Sequence, residues 1–248
     1  DKAAAEKDPQ IESMAAPRTR KPKRSTGKPP AFQPPQLATL VDIVPEGKDW
    51  FHEVKYDGYR CMIGADGDQV HAYTRTGLDW SEKFAPIVEE FRRLDLPPAL
   101  MDGELVTLAA DGRPSFSKLQ GVLKGEPGKL VYFAFDLIEL DGKSLTKLTN
   151  LQRKEQLQAL LTESGKSEIV HFAEHLTKGE KLFDALCKQG YEGIISKRAD
   201  ATYSGKRTRN WLKIKCTARQ EFVIIGWTES DKSRGFKSIL LGTRVDGD

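Results

Sequence analysis

The sequence has few of the residues that mark disulfide-rich, metal-binding or membrane proteins. Its three cysteines, Cys61, Cys187 and Cys216, are widely spaced and include no CxxC pair. This pattern argues against a disulfide scaffold or a zinc site, and we expect Cys61 and Cys187 to be small buried residues in a reducing, cytoplasmic location. No apolar run approaches the roughly 20 residues that cross a bilayer, so we expect no membrane partner.

Positive charge is concentrated at the start of the chain. Residues 1–35 carry eight basic and four acidic residues, a net charge of +4, whereas the whole chain has a net charge of +3. We interpret residues 1–30 as a basic, disordered linker, and such a run could also contact nucleic acid electrostatically. Because the first residue is Asp1 rather than Met, we expect the chain to be part of a longer protein.

The apolar pattern predicts many short strands with helices at irregular intervals. Apolar residues at helical spacing predict helices over residues 81–94, from about residue 149, and over residues 177–190, where Thr177 and Glu180 form a capping-box pattern. This order favours an α+β fold of mainly antiparallel sheets over a regular βαβ winding. Strands are predicted over residues 50–55, 60–64, 70–74, 99–108, 130–138, 193–197 and 211–215.

A change of pattern near Cys216 predicts a domain boundary. New strands are predicted over residues 221–227 and 238–241, and 33 residues after Lys215 are too few for an independent domain. We therefore predict one domain over residues 31–216 and the incomplete start of a second over residues 217–248.

The sharpest local motif is KYDGYR, formed by residues 55–60 at the end of a predicted strand. A lysine at such a turn, beside an acid and an arginine, is a candidate covalent nucleophile, since neighbouring cations disfavour the ammonium form of a lysine. Taken alone, the motif also fits a surface turn with a local charge pair.

Four further clusters follow along the chain. They are DGELV from Asp102, FAFDL from Phe133, EGIISK from Glu192 and WLKIK from Trp211. Residues 204–220 contain six lysines or arginines and no acid. Each cluster alone has an ordinary structural interpretation, such as a core aromatic or a solvated basic face, but their joint occurrence in this order does not.

Together with TRTG around Arg75, these motifs resemble, in sequence and in order, those of the covalent nucleotidyltransferases: ATP-dependent DNA ligases, RNA ligases and mRNA capping enzymes. The resemblance extends from about residue 51 to residue 215. It is greatest to the ligase domain of the bacterial end-joining DNA ligase D, because the proline-rich segment before KYDGYR and the EFVIIGW continuation are also similar. It implies the nucleotidyltransferase fold of mainly antiparallel sheets with flanking helices, followed by the start of a truncated OB-type β-barrel.

The resemblance implies an ATP-dependent DNA ligase that acts in double-strand break repair by end joining. Lys55 attacks the α-phosphate of ATP, pyrophosphate leaves, and AMP becomes covalently attached to Lys55. AMP then passes to a DNA 5′-phosphate, and the 3′-hydroxyl displaces it to seal the break.

The resemblance also implies roles for individual residues. Phe135 would stack on adenine, although Phe133 has the same type and the same predicted strand face, and backbone near Glu53 would contact the edge of the base. The implied nucleotide-binding residues are Glu53, Arg60, Arg75, Glu104, Phe135, Lys213 and Lys215. The implied DNA contacts are Arg75, Arg207 and Arg209, and the implied ligands of Mg²⁺ or Mn²⁺ are Glu192, Glu104 and Asp57.

The implied partners are nicked or broken duplex DNA in the bacterial nucleoid, together with Ku and the polymerase and nuclease modules of a parent protein. Two alternatives stay open: an RNA ligase or capping-type nucleotidyltransferase, and a non-catalytic DNA-binding fragment that uses the basic tail and residues 204–220. Because the family's late basic motif in the barrel is absent from these 248 residues, we expect this chain alone to bind ATP, adenylate slowly and seal nicks poorly.

Overall fold

The computed structural model describes residues 27–216, 222–230 and 236–243. The sequence predictions for residues 1–26, which include most of the basic linker, lie outside this range. Within it the chain forms thirteen strands in three sheets. In chain order the strands are β1 (Leu37–Leu40), β2 (Trp50–Val54), β3 (Tyr59–Asp66), β4 (Gln69–Thr74), β5 (Ala99–Thr107), β6 (Leu130–Leu140), β7 (Lys143–Ser144), β8 (Val170–Phe172), β9 (His175–Leu176), β10 (Gly193–Arg198), β11 (Arg207–Lys215), β12 (Val223–Thr228) and β13 (Ser238–Gly242).

The first sheet has the spatial order β1-β11-β10-β2-β9 and brings distant parts of the chain together. Strand β10 pairs antiparallel with both β2 and β11, while β1 pairs with β11 in parallel. In this register Gly193 lies opposite Lys215, and Ile194 lies opposite Val54. The end of β2, the start of β10 and the end of β11 therefore meet at one edge, which is where KYDGYR, EGIISK and WLKIK carry their charged residues.

The second sheet has the order β4-β3-β5-β6-β7, with β8 beside β6. All of its pairs are antiparallel except β6 with β8. Since β1 with β11 is the corresponding exception in the first sheet, the prediction of an α+β fold with mainly antiparallel sheets is confirmed.

The described residues form four helices, of which three were expected. Helix α1 (Ala85–Arg93) starts later than predicted because residues 81–84 form turns. Helix α3 (Asn150–Glu163) begins at Thr149, whose side chain accepts from the Gln152 backbone in a true capping box. Helix α4 (Gly179–Lys188) follows Lys178 without a side-chain cap, so the predicted capping box of Thr177 and Glu180 is wrong.

Helix α2 (Phe116–Val122) was not predicted from the sequence. It has only seven residues, contains Gly121, and is too short to show two full turns of apolar spacing. Its one visible signal is Ser115, whose hydroxyl accepts a hydrogen bond from the Lys118 backbone at 3.5 Å.

Three apolar clusters hold these elements together. The largest packs α1, α2 and α3 against the second sheet, and a smaller one packs α4 against the first sheet. The third contains Met62 and Leu100 from the second sheet and Trp211 from the first, together with Tyr203. Because it includes side chains from both sheets, this third cluster fixes the two sheets face to face.

The expectation that the cysteines form no disulfide is wrong for two of them. Cys187, near the end of α4, is bonded to Cys216, the residue that follows β11, with their Cα atoms 5.2 Å apart. Spacing gave no sign of this pair because the pairing of β10 with β11 brings residues 29 positions apart together. Cys61 is buried and free, as predicted, whereas Cys187 is half-buried.

Strands β12 and β13 form a separate antiparallel hairpin close to the two strands predicted there. Its large apolar side chains, among them Ile225, Trp227 and Leu240, are all more than 40% exposed, so the described hairpin contributes no buried core of its own. No helix in the described parts of the chain is long and apolar enough to span a membrane.

Candidate active site

A cavity of about 210 Å³ opens between the two sheets. It lies above the third apolar cluster, with which it shares Trp211 and Phe135. Residues of the motifs line it from both sides, among them Lys55 and Lys213, whereas Glu192 and Lys215 are not lining residues. The first sheet contributes Glu53, Ile195, Lys197, Arg207, Trp211 and Lys213, and the second contributes Arg60, Glu104 and Phe135.

Lys55 is held directly after β2 at one end of the cavity. Its backbone N–H donates to the Gly193 carbonyl oxygen at 2.9 Å, and its Nζ pairs with one carboxylate oxygen of Glu192. Lys215 Nζ lies 3.0 Å from the other oxygen of Glu192. Partial burial alone would raise the pKa of Glu192, but hydrogen bonds from Lys55 and Lys215 outweigh it and lower that pKa.

Glycines make this close approach of strands possible. A Cβ at Gly58 would collide with the Leu105 carbonyl oxygen, and a Cβ at Gly193 would collide with that of Ile214. Gly193 also has a φ of +142°, which L side chains rarely adopt. The glycines of KYDGYR and EGIISK are therefore required to place Lys55 beside Glu192.

Further cations surround the same end of the cavity. Partial burial, together with the ammonium groups of Lys215 and Lys55, lowers the pKa of Lys213. Arg75, in the turn after β4, and Arg207, at the start of β11, also line the cavity. Arg209 is exposed and is not among the lining residues.

Arg60 is fixed by a buried carboxylate. Its Nε and Nη2 atoms donate to the two oxygens of Asp102 at 2.8 and 2.6 Å, and its Cζ lies 4.9 Å from the centre of the Phe135 ring. Glu104 lies opposite Arg60 in the sheet register. Burial raises the pKa of Glu104 to about 8, against the opposing effect of Arg60 and Lys55. Asp102 thus orients Arg60, a role that the sequence analysis did not assign to this first residue of DGELV.

The structure distinguishes Phe135 from Phe133. Phe135 lines the cavity, with the Lys197 ammonium 4.5 Å from its ring centre. Phe133 instead stacks on the ring of Tyr56, with centroids 4.0 Å apart, and is not a lining residue. The two rings lie on the same face of β6, as the alternation predicts, and differ because Phe133 is covered by Tyr56 whereas Phe135 faces the cavity.

Glu53 lines the cavity and has a buried carboxylate, whereas the sequence analysis expected only the backbone near Glu53 to contact the base. Its side chain is 3% exposed and pairs with Lys154 Nζ at 2.6 Å and Lys197 Nζ at 2.8 Å. Sequence reasoning gave no role to either lysine. A signal did exist for Lys154, because it lies at the helical spacing of the buried positions of α3, Asn150, Arg153 and Leu157.

The acid of FAFDL has a structural role. Asp136 accepts from Arg153 Nε at 2.8 Å and Nη2 at 2.9 Å, and both side chains are almost completely buried. The described residues contain no cluster of three or more histidines, cysteines or acids with metal-binding geometry. Burial and the negative charge of Glu192 raise the pKa of Asp57, and Glu192 also adds to the burial effect on Glu104, so these carboxylates lie close enough to repel one another.

Residues 35–215 match the family described as "ATP dependent DNA ligase domain". That match covers most of the chain and includes all the motifs around the cavity. The chain belongs to this family. The predicted resemblance is thereby confirmed, and neither the RNA ligase nor the capping-enzyme alternative is supported.

Curated relatives point to one branch of the ligases. The multifunctional non-homologous end joining protein LigD of Pseudomonas aeruginosa is 37% identical over 214 residues, which are 86% of this chain and 25% of that protein. The bifunctional LigD of Bacillus subtilis is 30% identical, over 82% of this chain and 36% of that protein. The chain thus spans between a quarter and about a third of the length of these relatives.

Solved structures agree with this assignment. A mycobacterial DNA ligase D complexed with ATP and MES is 31% identical with a TM-score of 0.66, over 85% of this chain and 67% of that one. The Chlorella virus DNA ligase–adenylate is 20% identical with a TM-score of 0.55, over 88% of this chain and 80% of that one, and shows the shared fold alone. The predicted nucleotidyltransferase fold is confirmed.

Proposed function

We propose that this chain is the adenylation domain of an end-joining DNA ligase and that Lys55 is its covalent nucleophile. One observation carries the proposal: Lys55 Nζ lies against Glu192 beside a cavity that is lined by cations and by the aromatic ring of Phe135. A phosphate chain suits the cations, and a base suits the ring of Phe135.

The first step joins AMP to the protein. Lys55 loses a proton, its Nζ forms a bond to the α-phosphorus of ATP, and the bond to the bridging oxygen breaks, so that pyrophosphate leaves. Lys213, Lys215 and Arg207 would neutralise charge on the phosphates during this transfer. Arg60 and Glu104 would contact the ribose side, and Arg75 would contact a phosphate of ATP or DNA.

A divalent cation fits the carboxylates of this site. Glu192, Glu104 and Asp57 supply the oxygen ligands that Mg²⁺ and Mn²⁺ prefer, and their mutual repulsion is the kind that a cation relieves. When bound, the metal would neutralise phosphate charge. Titration of the labelling reaction with Mg²⁺ and with Mn²⁺ shows which ion the chain uses. The same titration of Glu104→Gln shows whether Glu104 contacts the metal or the ribose.

The later steps require DNA. AMP would pass from Lys55 to a DNA 5′-phosphate, and a 3′-hydroxyl would then displace it, with Arg207 and the exposed Arg209 contacting the duplex. Two relatives are named as non-homologous end joining proteins, which supports repair of double-strand breaks as the process. We extend the proposal to Ku, to polymerase and nuclease modules of a parent protein, and to the bacterial nucleoid as its location.

The same proposal covers the domain organisation. Residues 31–216 would form the adenylation domain, in agreement with the matched range 35–215, and residues 217–248 would begin an OB-type domain after a linker over residues 1–30. The described hairpin of β12 and β13, with its exposed apolar side chains, is what an unfinished barrel sheet would present.

Labelling with ATP carrying a radioactive α-phosphate tests the proposal. The chain should become labelled in the presence of Mg²⁺ or Mn²⁺, added pyrophosphate should remove the label, and Lys55→Ala should take up none. Lys48→Ala, which changes an exposed lysine before β2, is the matched control and should label normally. Persistent label on Lys55→Ala, or preferential labelling by GTP, would overturn it.

A further inference from the structure

Lys154 is a buried cation outside all the motifs. It lies on α3, and its side chain is 1% exposed. Its ammonium group donates to the Ala173 carbonyl oxygen, lies 2.6 Å from Glu53 Oε1, and sits 4.3 Å from the centre of the Phe172 ring. Every one of these contacts points from the helix toward the cavity side of the domain.

Two partners of Lys154 are part of the cavity wall. Glu53 and Ala173 both line it, whereas Lys154 itself does not. The second oxygen of Glu53 is held by Lys197, whose Nζ also donates to the Phe135 carbonyl oxygen at 3.2 Å. Glu53 is thus held between two ammonium groups, one of which, that of Lys197, also lies over the aromatic ring of Phe135.

The clamped carboxylate keeps capacity to accept hydrogen bonds. A carboxylate offers about four acceptor positions, and two ammonium groups occupy at most two of them. Lys154 is the one described residue in contact with Glu53 Oε1, and Lys197 is the one in contact with Glu53 Oε2. The remaining acceptor positions of this buried carboxylate favour a ligand that donates an N–H there.

Burying an ammonium group costs solvation free energy, so Lys154 needs partners that compensate its charge. Desolvation opposes the charge of Lys154, and an apolar side chain of similar length would avoid that cost. What an apolar residue could not do is fix the direction of the Glu53 carboxylate through an ion pair. The position of Lys154 is therefore explained by orientation of Glu53 more readily than by stability.

We propose that Lys154 is a positioning residue for the nucleotide base: it fixes Glu53 and the Ala173 carbonyl so that the cavity wall presents acceptors to the amino group of adenine. This inference rests on the proposed function, because it takes ATP as the ligand of the cavity. Guanine has a carbonyl oxygen where adenine has that amino group, so an anionic wall would repel it. Lys154 thus contributes to the choice of ATP over GTP without touching the nucleotide.

The charge state of Lys154 makes the proposal sensitive to pH. Burial lowers its pKa to about 8, against the opposing attraction of Glu53. The charged groups that face Lys154 are Glu53 on β2, Lys197 on β10 and Asp136 on β6. His175 on β9 is also close, because the charge of Lys154 lowers the pKa of His175. Above pH 8 Lys154 becomes neutral and loses its ion pair, whereas an arginine in its place would stay charged.

The test is equilibrium binding of an ATP analogue with a methylene group between the α- and β-phosphates, which cannot release pyrophosphate. At pH 7, Lys154→Met should bind it about tenfold more weakly, while Lys154→Arg should stay close to wild type. The preference over the matching GTP analogue should shrink in Lys154→Met. Binding of inorganic tripolyphosphate, which has no base, should be the same in all three proteins.

The pH profile separates positioning from a merely structural role. Between pH 7 and 9.5, wild-type affinity for the analogue should fall more steeply than that of Lys154→Arg; titration of Glu104 and Lys213 is common to both proteins and cancels in the difference. Leu157→Ala, a change of a fully buried residue on the same helix, should lower the melting temperature without changing this difference or the base preference.

Three outcomes would overturn the inference: unchanged affinity in Lys154→Met, equal weakening of tripolyphosphate binding, or identical pH profiles for wild type and Lys154→Arg. The comparison of pH profiles between wild type and Lys154→Arg tests the inference even if Lys154→Met does not fold. Labelling of Lys55 is scored separately in the wild type. A labelled wild type with an indifferent Lys154 refutes the inference alone, and an unlabelled wild type refutes the proposed function.

Discussion

Two groups of charged side chains at the cavity differ in their exposure to water. In the group around the proposed nucleophile, here called the nucleophile end and formed by Lys55, Glu192, Lys213 and Lys215, Lys55 is 19% and Glu192 is 23% exposed. In the group here called the base end, formed by Glu53, Lys154, Lys197 and Phe135, the charged side chains are at most 3% exposed. Partly hydrated cations can exchange Glu192 for phosphate, whereas buried partners cannot be exchanged without a large desolvation cost.

The difference separates recognition from chemistry. On the proposed function, we expect the nucleophile end to change its ion pairs as ATP binds and pyrophosphate leaves, and the base end to keep one arrangement. A second buried pair, Arg153 with Asp136, lies directly behind the base end and belongs to the same rigid part of the domain. We therefore expect substitutions behind the base end to affect stability and substitutions at the nucleophile end to affect rate.

The largest effect on stability should come from Arg153→Met, which leaves Asp136 buried without its partner. Loss of one member of a buried ion pair lowers the free energy of unfolding by about 3–5 kcal/mol. Urea denaturation followed by circular dichroism measures the change. Arg198→Met removes an arginine from an exposed pair with Asp200 and should have little effect; similar losses in the two variants would contradict the contrast between buried and exposed pairs.

A smaller effect, on rate rather than stability, should follow Lys213→Ala. Removing one cation that stabilises charge during phosphoryl transfer should slow single-turnover labelling by about 100-fold. Its urea midpoint should stay near that of the wild type because Lys213 is only partly buried. Lys118→Ala, a change of an exposed lysine on α2, should alter neither quantity. A Lys213→Ala chain that labels at the wild-type rate would remove the distinction between the two ends.

A pH dependence of stability should arise from Glu104. Burial raises its pKa to about 8 in the folded protein, so between about pH 5 and pH 8 the folded state holds a proton that the unfolded state has lost. Stability contributed by Glu104 is therefore lost as the pH rises through this range. Melting temperatures measured from pH 5 to 9 should fall less for Glu104→Gln than for the wild type.

Glu163→Gln, a change of an exposed residue at the end of α3, provides the control for this measurement and should follow the wild-type curve. Parallel curves for Glu104→Gln and wild type would show that the Glu104 carboxyl is ionised in the folded protein at neutral pH. In that case Glu104 would resemble Glu192, a charged carboxylate of the nucleophile end that can be exchanged for phosphate.

Local patterns in the sequence identified most of the nucleophile end. KYDGYR, EGIISK and WLKIK each combine a strand with a glycine turn or with charges at alternate positions, so Lys55, Glu192, Lys213 and Lys215 were recognisable individually. The glycines were informative for a physical reason, because Gly58 and Gly193 stand where any Cβ would collide with a neighbouring carbonyl oxygen. The strands around these motifs were also predicted to within a few residues.

Three features could not be read from local patterns because they depend on contacts between distant segments. The Cys187–Cys216 disulfide exists because the fold brings the last turn of α4 beside the end of β11, and Phe135 differs from Phe133 because Tyr56 covers only Phe133. The capping box predicted for α4 is wrong because the helix begins after Lys178. In each case the chain near the residue is compatible with either outcome.

The sequence by itself determined the kind of chemistry that we propose, since the proposed nucleophile, its acid and its cations lie in short motifs whose residue types that reaction requires. Only the tertiary structure decided how the base end is built. Glu53, Lys154 and Lys197 come from β2, α3 and β10, and none is unusual among its sequence neighbours. Their role depends on their being buried together. A charged group removed from water needs oppositely charged partners, and only the fold brings these partners within 3 Å.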